Sequence, residues 1–264
     1  MSLDGRTIVV TGATRGIGKV TAAHLASKGA QVVATGRTTE RGERAAAEIA
    51  AAGGRAVFLR RDLSVEGEVA SLFSEVRERF GPVHAVVNNA AATDIIDRDR
   101  PVVEQSTEDF DYFMRANVYS VFWCFKYGIP AMPAEGGSFV TMSSMEGFLA
   151  RRGEPSYSTS KAAVCGLARQ VAVDYGDRGI RSNTLVLGFI ETNATRPMLR
   201  DERIGDAVRA TTGGEPPTAL DVARAVEFLV SDAAHGFNGA TLNLDRGMTV
   251  HGHVPSDLTL DGTS

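Results

Sequence analysis

Lysine is nearly missing from this 264-residue chain: four of its 28 basic residues are lysines, at 19, 28, 126 and 161, against 24 arginines. No apolar run reaches the ~18 residues that a membrane-spanning helix requires. Met1-Ser2-Leu3-Asp4-Gly5 also lacks the charged and then apolar pattern of a secretory leader. A cytoplasmic protein with no membrane partner is therefore expected. The two cysteines, Cys124 and Cys165, both sit inside apolar helical patterns, which favours buried free thiols over a disulfide or a thiolate metal site. The basic residues are dispersed and the net charge is -4, so the footprint of a nucleic-acid binder is absent. His251 and His253 have no cysteine or carboxylate cluster beside them, and no metal is expected.

What the chain does have is a regular alternation. Thr7 to Val10, Gln31 to Thr35, Ala56 to Arg60, Val83 to Val87, Ser138 to Met142, Arg181 to Leu187 and Ala240 to Leu244 are short apolar or β-branched runs. Between them lie segments with helical spacing, such as Glu40 to Ala52, Val65 to Phe80 (stopped by Gly81-Pro82) and Thr218 to Ser231. The unbroken apolar run Val83 to Val87 suits a sheet covered on both faces. The expected class is α/β: a single-domain, Rossmann-type doubly wound parallel sheet of about seven strands, with helices on both faces. That domain is expected to span residues 1–250. A polar stretch at about 193–214 reads as a substrate lid with a short helix, and 251–264 as a C-terminal tail.

The first strand runs into Thr11-Gly12-Ala13-Thr14-Arg15-Gly16-Ile17-Gly18 and then a helix. Glycines there permit a tight turn, bring backbone amides close to a pyrophosphate and let the helix pack on the strand, while the helix N-terminus favours negative charge. After the second strand, where NAD-binding folds commonly carry a carboxylate for the ribose 2'-hydroxyl, this chain has Gly36 and then Arg37. Without a carboxylate to repel a 2'-phosphate, and with Arg37 and Arg15 able to pair with it, NADP (NADPH) is the expected cofactor.

One of the four lysines lies four residues after Tyr157, on the same helix face. An ammonium at Lys161 near the phenol would favour phenolate and fit Tyr157 for proton exchange near neutrality. Ser144 follows a probable strand, where function gathers in open α/β sheets.

Thr11 to Gly18, Asp62, Asn88-Asn89-Ala90, Asn117, Ser144, Tyr157 and Lys161 together resemble the short-chain dehydrogenase/reductase family, from about Thr7 to Gly247. The resemblance implies an NADPH-dependent oxidoreductase interconverting a ketone and a secondary alcohol, with Asn117, Ser144, Tyr157 and Lys161 as catalytic residues. Ser144 would bond the substrate oxygen, Tyr157 would act as general acid/base, Lys161 would grip the nicotinamide ribose while lowering the phenol pKa, and Asn117 would hold a relay water. The cofactor set it implies is Gly12, Thr14, Arg15, Gly16, Ile17, Gly18, Arg37, Thr38, Asp62, Leu63, Asn89, Ala90, Tyr157, Lys161, Gly188, Ile190 and Thr192. Departures from the family pattern are Ala91 for Gly, Leu187 for Pro and Arg246 for Gly, each near backbone that runs close to cofactor or to a neighbouring subunit.

A small-molecule carbonyl or alcohol is the expected substrate, medium-sized and partly apolar, against a wall of Met145, Phe148, Leu149, Phe189 and Met198, with Glu146, Arg151 and Arg152 near the mouth. A 3-oxoacyl-thioester reductase acting on an acyl carrier protein or CoA is an alternative. A catalytically inactive NADP-sensing protein is another. The resemblance implies a homotetramer or homodimer, and apolar residues Val121, Phe122, Trp123, Phe125, Val164, Leu167 and Val171 suggest faces that one sheet does not cover.

Overall fold

Each β-branched run forms a strand in the computed structural model, which describes residues 2–93 and 95–250. The tail 251–264, with its two histidines, lies outside the described residues. The strands are β1 (Thr7–Thr11), β2 (Gln31–Gly36), β3 (Arg55–Arg60), β4 (Ala85–Asn88), β5 (Gly137–Ser144), β6 (Ile180–Leu187) and β7 (Thr241–Leu244). They make one seven-stranded sheet in the order β3-β2-β1-β4-β5-β6-β7, parallel at every pairing. The order reverses between β1 and β4, which opens a crevice at their carboxyl ends. Helices α1 (Gly16–Ser27), α2 (Thr39–Ala51), α3 (Glu66–Phe80), α4 (Thr107–Met114), α5 (Ser120–Ala131), α6 (Pro155–Asp174), α7 (Arg196–Arg200), α8 (Glu202–Thr212) and α9 (Ala219–Val230) complete the chain.

Strand periodicity divides the core. Ile8 and Val10 point to one face, where Leu25 of α1 and Val222, Val226 and Leu229 of α9 cover them. Val9 points to the other, under Leu72, Phe73 and Val76 of α3, Phe125 and Ile129 of α5, and Val164 and Ala168 of α6. Burying each such Val, Leu or Phe side chain contributes about 1.5–3 kcal/mol.

Two features differ from the sequence expectations. The stretch expected to hold one short helix holds two, α7 and α8. Asp201 caps the second by accepting from the Ile204 backbone N–H at 3.1 Å, and Gly213 ends it in the left-handed region at φ 63°. The apolar faces ascribed to a partner are also mostly covered by the chain itself. Val121, Trp123, Phe125, Val164 and Val171 are all buried in the second core, and of that group Phe122 alone is classed as exposed. The physical reason is that α3, α5 and α6 pack side by side on one face of the sheet and bury each other's flanks.

Candidate active site

The glycine turn closes against the end of β4. Thr11 Oγ1 accepts from the backbone N–H groups of Asn89 and Ala90 at 2.9 and 3.0 Å, and Asn89 Nδ2 donates to the Thr11 and Gly12 carbonyls at 2.9 and 3.2 Å. Asn89 and Thr11 therefore shape the turn. The sequence hinted at this only through a threonine standing at the strand end.

Gly16 adopts φ 53°, and a Cβ built on it meets nothing within 4 Å. α1 begins there with no side-chain cap and no acidic residue in its first turn. A helix start with no side-chain cap, beside the open space at Gly16, fits the phosphates of a dinucleotide. Gly36 is fixed by contact, because a Cβ there would lie 2.8 Å from the Thr14 methyl. Arg37 beside it is exposed and donates to the Tyr112 hydroxyl at 2.9 Å, and Arg15 reaches Thr93 Oγ1 at 3.5 Å. Thr38 is the N-cap residue of α2 and accepts from Arg41 at 2.7 Å.

The other expected cofactor residues have defined places. Asp62 Oδ1 accepts from the Ser64 backbone and hydroxyl at 3.0 and 2.7 Å, Leu63 is buried, and Ile17 packs on the first core. The Ile190 carbonyl accepts from Thr195 Oγ1 at 2.7 Å, and Thr195 Oγ1 in turn accepts from the Thr192 N–H at 2.9 Å. Gly188 follows β6, where the in-register pairing of Leu187 with Ser144 and Leu244 continues. Arg246 is the only described non-glycine residue in the left-handed region, at φ 52°. Its guanidinium donates to the Thr212 and Gly213 carbonyls at 3.1 and 3.4 Å, joining the end of β7 to the end of α8.

The four expected catalytic residues gather at the carboxyl end of β5. A π turn (Arg115–Tyr119) between α4 and α5 carries Asn117 into the interior. Its Oδ1 accepts from the Ala92 N–H at 2.7 Å and its Nδ2 donates to Ser160 Oγ at 2.9 Å, while Ser160 Oγ donates to the Tyr157 carbonyl at 2.7 Å. The Asn117 amide thus braces α6 under Tyr157.

Lys161 Nζ donates to the Met142 carbonyl at 3.1 Å and lies 5.7 Å from the Tyr157 ring centroid. Burial pushes the Lys161 ammonium down to about 8. Burial likewise pushes the Tyr157 phenol up to about 12; the Glu146 and Glu154 carboxylates add to the rise and a hydrogen bond with Ser144 opposes it. Desolvation and the two carboxylates act against the lowering expected from Lys161, whose ammonium is directed at a carbonyl. Ser144 Oγ also donates to Glu146.

Asp99 is the residue that sequence reasoning passed over. It is buried, and its two carboxylate oxygens accept from the backbone N–H groups of Ser156 and Tyr157 at 3.1 and 2.8 Å, capping the helix that carries the phenol. The expected apolar wall forms an open rim, with Phe148, Leu149 and Met198 exposed.

Residues 12–249 match the family described as enoyl-(acyl carrier protein) reductase. The 3-oxoacyl-[acyl-carrier-protein] reductase of Escherichia coli K12 is 33% identical over 249 residues, covering 94% of this chain and 99% of that protein. The 2,5-dichloro-2,5-cyclohexadiene-1,4-diol dehydrogenase of Sphingobium indicum is 37% identical over 260 residues, covering 94% and 98%. Among solved structures, a gluconate 5-dehydrogenase of Burkholderia cenocepacia in complex with NADP and tartrate superposes with a TM-score of 0.87 at 29% identity, covering 95% of this chain and 98% of that one.

Proposed function

The chain belongs to the short-chain dehydrogenase/reductase family and is an oxidoreductase acting on CH–OH and ketone groups, and from that premise we propose that it is an NADPH-dependent ketone reductase with Tyr157 as the proton donor. The observation that carries the reading is the gathering of Ser144, Tyr157 and Lys161 at the end of β5, with the Lys161 ammonium 5.7 Å from the phenol ring. A phenol placed there delivers a proton to a carbonyl oxygen gaining negative charge, with Ser144 as a second donor to that oxygen. NADPH, when bound, supplies the hydride to the carbonyl carbon. The glycine turn, Asp62, Leu63, Asn89, Ala90, Gly188, Ile190 and Thr192 hold the cofactor, and Arg15, Arg37 and Thr38 hold its 2'-phosphate. The absence of a carboxylate at Gly36 supports the NADP preference, as does the NADP complex of the gluconate 5-dehydrogenase. The 33% identical reductase supports a second reading, a 3-oxoacyl-thioester substrate. We place the protein in the cytoplasm; among the described residues no helix is long and apolar enough to cross a membrane.

The test is fluorescence titration with NADPH and NADH, followed by turnover of a ketone panel. NADPH is expected to bind more tightly, with Arg37→Ala erasing about ten- to a hundredfold of that preference. Tyr157→Phe is expected to cut turnover by about a hundred- to ten-thousandfold while NADPH still binds. Equal binding of NADH overturns the cofactor assignment, and undiminished turnover in Tyr157→Phe overturns the catalytic one.

A further inference from the structure

Ser144 has one hydroxyl proton and, in this site, two claimants for it. Glu146, two residues on, accepts that proton, and its backbone N–H donates to Ser144 Oγ at 3.4 Å. The carboxylate is well covered, with a side-chain exposure of 10%. A charged carboxylate is a stronger acceptor than a neutral ketone oxygen. While Glu146 lacks another donor, Ser144 therefore points its proton away from the position of the reacting oxygen. Arg151 does not relieve this. Its guanidinium stands 3.7 Å from Glu146 Oε1, beyond hydrogen-bonding distance, and it is shared with Glu154 at 3.4 Å.

A substrate can supply the missing donor. We infer that Glu146 is a specificity-determining residue that accepts a hydrogen bond from a hydroxyl on the carbon next to the reacting one, so that the preferred substrates are α-hydroxy ketones and the corresponding vicinal diols. This inference rests on the reading of Ser144 and Tyr157 as the groups that meet the reacting oxygen. A neighbouring hydroxyl bonded to Glu146 Oε2, the oxygen that Ser144 otherwise holds, displaces the Ser144 proton, which turns to the ketone oxygen, and both donors of the site then face the developing charge. A simple ketone leaves Glu146 in possession of Ser144 and reacts with Tyr157 alone. A site built around a polar partner rejects the analogue lacking it, because a buried group is left unpaired.

The same carboxylate faces the titrating groups of α6. Burial dominates all three groups there; the Glu146 carboxylate adds to the rise of Tyr157 and of Glu154, which Asp99 raises further and Arg151 lowers, and it opposes the lowering of Lys161. Removing its charge therefore lowers the phenol, and the rise of diol oxidation with pH, which follows formation of the phenolate, moves to lower pH. A purely structural role would not produce that shift.

The experiment compares cyclohexanol with cis- and trans-1,2-cyclohexanediol as substrates, with NADP+, across a pH series in the wild type, Glu146→Gln and Glu146→Ala. The wild type is expected to favour one diol by about tenfold or more in kcat/KM. That ratio should fall to within about threefold in Glu146→Ala and to an intermediate value in Glu146→Gln, whose amide oxygen still accepts. A wild-type ratio near one overturns the inference while leaving the hydride-transfer reading intact. A ratio that survives in Glu146→Ala, or an unmoved pH limb, does the same. Turnover of none of the three alcohols by NADP-saturated enzyme overturns the hydride-transfer reading, and the inference with it. The near-isosteric Glu146→Gln and the wild-type ratio keep the test decisive if Glu146→Ala fails to fold.

Discussion

Tyr157 and Lys161 share one helix face, and the same burial moves them in opposite senses, the phenol up to about 12 and the ammonium down to about 8. A cation whose pKa is lowered gives up its charge sooner as pH rises. Ketone reduction should hold through neutrality and then decline with a midpoint near 8 as Lys161 discharges, well before the phenol ionises. Lys161→Arg is expected to lack that decline, since a guanidinium keeps its charge; initial rates between pH 6 and 10 decide it. Gly36 bears on the cofactor end of the same reaction. Gly36→Asp places a carboxylate where the 2'-phosphate is proposed to sit and pushes on the Thr14 methyl, which a Cβ would approach to 2.8 Å. NADPH affinity should fall about tenfold or more while NADH affinity changes less, as read by fluorescence titration.

At the scale of elements, the helix that carries Tyr157 and Lys161 owes its position to residues remote in sequence. Asp99 caps α6 from 57 residues away, and the π turn presents Asn117 to Ser160 from 43 residues away. Asp99→Ala leaves two first-turn amides of α6 unpaired and removes a negative charge from its N-terminus. It should cost about 1–2 kcal/mol and lower the midpoint of thermal unfolding by several degrees, with Asp99→Asn milder. These are the parts the sequence could not announce. The strands were legible because β-branched runs alternate with helical spacing, and the Ser144, Tyr157 and Lys161 set was legible because two of its members lie on one turn of helix. Asp99 sat among polar loop residues with nothing local to mark it as buried. The π turn inserts one residue into an otherwise ordinary helix and leaves no trace in composition. The two-helix form of residues 196–212 was hidden because α7 is only five residues long and carries Pro197 in its first turn.

For the molecule as a whole, the covering of Val121, Trp123, Phe125, Val164 and Val171 by the chain's own helices leaves Tyr119 and Phe122, three residues apart on one helix face, as exposed apolar side chains where the π turn enters α5. We propose that this smaller patch seats a second subunit. Light scattering should return a dimer or tetramer mass for the wild type and a smaller one for Phe122→Glu; a monomeric wild type would count against the patch as an interface. The strand order has a further consequence, in time rather than in space. β1 is made first but lies between β2 and β4, and the Thr7 backbone N–H finds His84 Nδ1 across 77 residues of chain. Half of the sheet's central pairing must therefore wait for a long loop to close, and the entropy of that closure falls due before any of the contacts that compensate it. Refolding should be slow and most prone to aggregation while β1 has only one neighbour, and during synthesis that edge stays bare until β4 has left the ribosome.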